Sequence, residues 1–179
     1  TITEVVFAEG CYFDGLFVEG PEGTDFAQHP LLIRAARGAH VVLDGARPVE
    51  DFRPHEELPG VFRMDYTSDG GECPKFWEPG TRIRYRLVAD RLAVARFPAT
   101  YPIEGQRLLF HTSDGQAPRR GELLMSAHDC GMFVNRPHVT VRGIGFRNYL
   151  ARDKWSTGID LRVDHIAAED CRSSNCSMG

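Results

Sequence analysis

Apolar and polar residues alternate in short runs along this chain, and two of the runs repeat. HVTVRGIGFRN (His138 to Asn148) and HIAAEDCRSSN (His165 to Asn175) are offset by 27 residues at both ends. Each opens on His followed by a β-branched residue, and each closes on Asn. Between them Gly158-Ile159-Asp160-Leu161-Arg162-Val163 alternates strictly. A period of two puts Ile159, Leu161 and Val163 on an inner face and Asp160 and Arg162 on the solvent face. A 27-residue unit of short strands, with no room for a long helix, predicts one coil of a β-solenoid. A β-sandwich with two similar strands is the competing reading.

Upstream, residues 3 to 45 hold strand-sized apolar pieces at Glu4–Ala8, Tyr12–Val18, Pro30–Ala36 and Val41–Leu43, separated by Gly, Gly-Pro and Asp-Gly turns. That spacing predicts an all-β fold, and no window carries a sustained helical stripe. Residues 46 to 125 break the rhythm with polar, Pro-containing stretches and a Gly-rich loop. Their apolar or alternating segments lie at Arg82–Val88, Leu92–Phe97, Arg107–Phe110 and Glu122–Met125. The pattern predicts a small antiparallel β insertion on the solenoid's N-terminal end, covering open strand edges or walling a ligand groove. Leu124–Val134 then returns the chain to the solenoid. The expected organisation is N-terminal coils over 1–45, the insertion over 46–125, and further coils over 126–179.

Composition narrows the partners. The chain has 179 residues, 42% hydrophobic and 26% charged, with a net charge of −4. That balance suits a folded domain and does not point to nucleic acid as the main partner. No apolar run approaches the roughly 20 residues of a membrane span. The five cysteines lack close pairs, so a zinc site has no support. Cys171 and Cys176 are either a local disulfide in an exported protein or buried small apolar groups. With Thr1 at its start, the chain reads as a mature product or a fragment. Its last residues, Cys176 to Gly179, carry no capping element, which predicts further coils or a partner subunit stacking beyond them.

The runs CYFDGLFVEG and HPLLIRAARGAHVVLDG resemble the opening of pectate-lyase-like right-handed parallel β-helix proteins. Val139 to Asn148 is similar to the VTVRG-x-x-FRN coils of that superfamily. The resemblance spans residues 3–45 and 137–179 and implies an all-β, right-handed parallel β-helix with an inserted antiparallel subdomain. It further implies an exported protein (secreted, periplasmic or at the cell surface) with a polysaccharide partner. The leading reaction is β-elimination of a uronate polysaccharide. The alternative is a non-catalytic structural or adhesive subunit, since such coils are shared by many activities.

Three chemistries need different residues. The Asn-x-Asp, Asp-Asp and Gly-His-Gly motifs of the hydrolases in this superfamily do not occur here. β-Elimination needs a base near the C5 proton and a cation that neutralises the uronate carboxylate. The loop Tyr149–Trp155 offers both: Tyr149, Arg152 and Lys154 are the candidate catalytic residues. Trp155, Arg162 and Asp160 are the candidate substrate-binding residues. No cofactor is identifiable and no metal ligand set stands out, because Asp65, Asp69 and Glu72 lack the spacing of a Ca²⁺ loop. Ca²⁺ enters only through the resemblance. His128-Asp129-Cys130 is too local for a nucleophilic dyad. Asn148 and Asn175 are expected to stack at one turn as structural residues.

Overall fold

The computed structural model describes residues 3–21, 23–66, 74–150 and 156–176. The chain begins with β1 (Glu4–Phe7), β2 (Gly10–Tyr12), β3 (Leu16–Val18), β4 (Leu31–Ala35) and β5 (Val41–Asp44). It continues through β6 (Ala46–Pro48), β7 (Arg53–Pro54), β8 (Val61–Asp65), β9 (Phe76–Glu78), β10 (Ile83–Arg84) and β11 (Arg86–Leu87). After α1 (Arg91–Arg96) come β12 (Thr100–Tyr101), β13 (Ile103–Glu104), β14 (Arg107–His111) and β15 (Leu124–Ser126). The last strands are β16 (Cys130–Val134), β17 (Val139–Arg142), β18 (Ile144–Arg147), β19 (Thr157–Leu161), β20 (Ile166–Glu169) and β21 (Arg172–Ser174). The protein divides into two compact units, residues 1–46 with 126–179, and residues 47–125.

The first unit is all-β, and its sheets are parallel. Sheet A has the order β1-β4-β17-β20, sheet B the order β2-β5-β18-β21, and sheet C the order β19-β16-β3. Successive strands visit A, B and C in turn, so each pairing joins segments far apart in sequence. Val139 pairs with Ile166, Gly145 with Arg172 and Met132 with Ile159, the 27-residue step of the sequence repeat.

The corners repeat with the same step. His138 and His165 (φ 57 and 59), Gly143 and Asp170 (φ 71 and 52), and Asn148 and Asn175 (φ 62 and 53) all sit in the left-handed region. That conformation costs an ordinary L-residue roughly 1–2 kcal/mol, and Gly, Asn and Asp bear it best. At one corner Asn175 Nδ2 donates to Asn148 Oδ1 at 2.7 Å. At another the rings of His138 and His165 stack 4.8 Å apart and 5° from parallel.

Inward side chains of all three sheets form one core. Ile33, Leu43, Met132, Val134, Val141, Ile144 and Phe146 are buried there, with Ile159 and the half-buried, free Cys171 and Cys176 packed against it. Burial of each large aliphatic contributes about 1.5–3 kcal/mol. Asp44 is also fully buried. Its carboxylate accepts from Arg147 Nε at 2.6 Å, Asn148 Nδ2 at 2.9 Å and the Ala46 amide at 3.1 Å.

The unit of residues 47–125 has its own core. Phe62 and Phe76 stack on Phe110 at 5.5 and 6.2 Å, with Tyr101, Leu108 and Met125 around them. One sheet has the order β11-β12-β14-β8-β7, with β13 also on β14; another has the order β10-β9-β15-β6. β8 pairs antiparallel with β7 and β14, β14 with β12 and β13, and β9 with β10 and β15, whereas β11 and β12 are parallel. Leu92–Phe97, expected as a strand, is instead the helix α1 and its C-cap. Asp90 accepts from the Ala93 amide at 2.9 Å, and only Val94 is buried. A capping aspartate outweighs the apolar alternation of so short a run.

Candidate functional site

Asp160 and Arg162, two of the side chains expected to meet a ligand, lie at the outer face of sheet C. Alternation sends Leu16, Met132 and Ile159 inward, and the residue after each outward: Phe17, Phe133 and Asp160, which are aligned across the three strands. Phe17 is 71% exposed, with its ring centroid 5.9 Å from that of Phe133. Arg162 continues the same face, its guanidinium carbon 5.7 Å from the Phe133 centroid. Asp160 Oδ2 accepts from Arg162 Nε at 2.9 Å and holds the guanidinium there. Two adjacent aromatic faces with an oriented cation suit a ring that offers C–H groups on one side and hydroxyls or a carboxylate at its rim.

Leu161 and Val163, expected to point inward, are 40% and 37% exposed. Leu161 does align with the buried Val134, but β19 has a paired strand on one side only. Val163 lies past the end of that strand.

Tyr149 is fully buried. Its hydroxyl donates to the Asp14 carbonyl at 2.8 Å, and burial, then the Asp44 charge, raises its pKa. Its ring fills space left by two glycines: a Cβ on Gly45 would meet it at 2.4 Å, one on Gly131 at 2.6 Å. Arg152, Lys154 and Trp155 lie outside the described residues. Their segment leads directly into β19, the strand that presents Asp160 and ends just before Arg162. The Cys130 thiol is pushed up to about 11 by burial and by Asp160, so it is held protonated and is no nucleophile at neutral pH.

Two acidic centres escaped the sequence reading. Asp44 ends an ordinary LDG turn, and nothing local announces that Arg147, about a hundred positions away, closes on it. Glu78 accepts from the hydroxyls of Tyr85 at 2.6 Å, Thr81 at 2.7 Å and Ser113 at 2.8 Å. Burial opposes its charge, and these hydroxyls overcome that, holding the carboxyl below its ordinary value. Both carboxylates have their oxygens engaged, which makes them anchors. Among the described residues no three His, Cys, Asp or Glu side chains converge to hold a metal ion. No helix among them is long and apolar enough to cross a membrane.

No family model matches the sequence, and no curated protein does. A solved structure described as the complex structure of XylC with xylose is similar, with a TM-score of 0.54 and 11% identity. The match covers 80% of this chain and 30% of that one. At that identity the likeness shows the fold alone: an all-β architecture with several mostly parallel sheets.

Proposed function

We propose that this chain is part of a right-handed parallel β-helix and that it binds polysaccharide across the outer face of sheet C. The observation that carries the reading is the exposed pair Phe17 and Phe133 with Arg162 held over Phe133 by Asp160. The cyclic visit to three parallel sheets at a 27-residue step supports the β-helix, and right-handed crossovers are the rule for parallel strands. The xylose bound by the structural neighbour supports a saccharide as ligand.

The reaction proposed at this face is β-elimination of a uronate. A cation would neutralise the uronate carboxylate, a base would remove the C5 proton, and the bond to the O4 leaving group would break. Arg162 supplies the first role on the described surface. Arg152 and Lys154, on the segment entering β19, are assigned the base and a second cation, and Trp155 further stacking area. Tyr149, once a candidate base, has its hydroxyl committed to the Asp14 carbonyl. Such a protein would work outside the cell, where its substrate is.

Binding of pectin, alginate and glycosaminoglycan oligosaccharides, measured by calorimetry, tests the site. Phe133→Ala should weaken binding about tenfold or more, since an aromatic stack is worth roughly 0.5–1.5 kcal/mol beyond its buried area. Equal binding by the variant would sink the surface as the site. Ultraviolet absorbance of an unsaturated uronate product, abolished in Lys154→Ala, tests the reaction. Binding without that product would leave the non-catalytic carbohydrate-binding reading in its place.

A further inference from the structure

The unit of residues 47–125 carries a second concavity, distinct in its chemistry from the aromatic face of sheet C. It has a volume of about 440 Å³ and is lined by Asp51, Arg53, Arg63, Met64, Asp65 and Arg107. Pockets for small ligands begin at roughly 300 Å³.

Register places four of its charged residues on one face of three neighbouring strands. On β7 and β8, Arg53 stands opposite Arg63; on β8 and β14, Asp65 stands opposite Arg107. Like charges directly opposite on an antiparallel pair are destabilising, so the Arg53–Arg63 pair costs the fold something. The cost is only partly offset. Arg63 reaches Glu56 at 3.0 Å, whereas Arg53 and Arg107 make no ion pair among the described residues. Arg107 stays open even though the carboxylate of Asp65 faces it across the ladder. Two guanidinium forks and two carboxylates, Asp51 and Asp65, thus stand around the cavity with their hydrogen-bonding capacity free.

Charge decides the ligand class. Arg63 is engaged by Glu56 at 3.0 Å, and the remaining free groups are two cations and two anions, which balance in charge. Planar donors and acceptors of both signs match adjacent hydroxyl groups, each of which both donates and accepts. We propose that this cleft binds a neutral saccharide, with Arg53 and Arg107 donating to its hydroxyl oxygens and Asp51 and Asp65 accepting from its hydroxyl protons. The site stands independently of the sheet C proposal, and its neutral ligand differs from the uronate assigned there.

The test is a titration of the full chain, labelled for amide NMR, with xylose, glucose, cellobiose and glucuronate. Neutral sugars should shift the amides of residues 51–53, 63–65 and 107, with affinity unchanged between low and high salt. Arg107→Gln and Asp65→Asn should each weaken that binding about tenfold. Thermal unfolding of the two variants checks that they fold, and the wild-type shift map stands if one does not. Absence of shifts in this cleft overturns the proposal. So does tighter binding of glucuronate that salt weakens, or binding that survives both substitutions.

Discussion

At the scale of single residues, two kinds of constraint hold this protein, space and hydrogen-bond saturation. Gly45 illustrates the first, because a Cβ there would enter the Tyr149 ring at 2.4 Å. Gly45→Ala should therefore lower stability by about 1–3 kcal/mol in urea unfolding; an unchanged midpoint would show that the ring can move. Asn148 illustrates the second, and it also has φ 62. Asn148→Ala should cost about 1–3 kcal/mol, because Asp44 loses a donor and Asn175 an acceptor. Asn148→Gly separates the contributions: it relieves the left-handed backbone and lacks the side chain, so any remaining loss belongs to the hydrogen bonds. Glu78 ties stability to pH. Its folded pKa is lowered, so the unfolded chain binds the proton more readily. The stability it provides is present above the ordinary carboxylate value and is lost as pH falls through the folded one. Glu78→Gln should flatten this part of an acid-unfolding curve, and an unaltered acid limb would rule out the assignment. The Asn148–Asn175 contact was legible from the repeat, but three others were hidden from the sequence for one reason. Asp44 with Arg147, Tyr149 with Gly45, and Glu78 with Ser113 are each at least 35 positions apart, and residue type alone does not choose among such partners.

At the scale of elements, short strands were readable wherever alternation coincided with turn residues. Val139–Arg142 and Ile144–Arg147 follow the apolar pattern and end at left-handed corners. The exception is α1, where Leu92–Phe97 alternates like a strand yet coils behind Asp90. A six-residue helix is too short to show a helical stripe, so its cap was the legible signal. Asp90→Ala should cost about 1 kcal/mol, seen as a lower denaturation midpoint; no shift would mean that packing of Val94 against Val61 and Leu109 holds the helix alone. The candidate site was legible in part. Asp160 and Arg162 were placed on the solvent face by period two, and they lie there. Phe17 and Phe133 were missed, because their strands are 116 positions apart and become neighbours only through the pairing of β3 with β16.

At the scale of the whole molecule, the chain leaves one unit at residue 46 and returns at 126. The two ends meet: the Ala127 and His128 amides donate to the Gly45 carbonyl at 2.8 and 3.0 Å. Replacing residues 47–125 with a short Gly-Ser link should then keep the three parallel sheets, since the loop needs little closure entropy. Strand-type circular dichroism with a cooperative melt is the expected result, and a disordered spectrum would contradict it.

The sequence alone determined the all-β character and the 27-residue step, because strand alternation and turn preference are local properties that residue order writes directly. It also put Ile159 on the core side and Asp160 on the solvent side of their strand, while Leu161, read as inward, is exposed. Which strands pair, which corner carries which left-handed residue and where Asp44 finds its donors were decided by tertiary structure. Parallel pairing joins segments a whole coil or more apart, and only the closed core makes one such pairing better than the others.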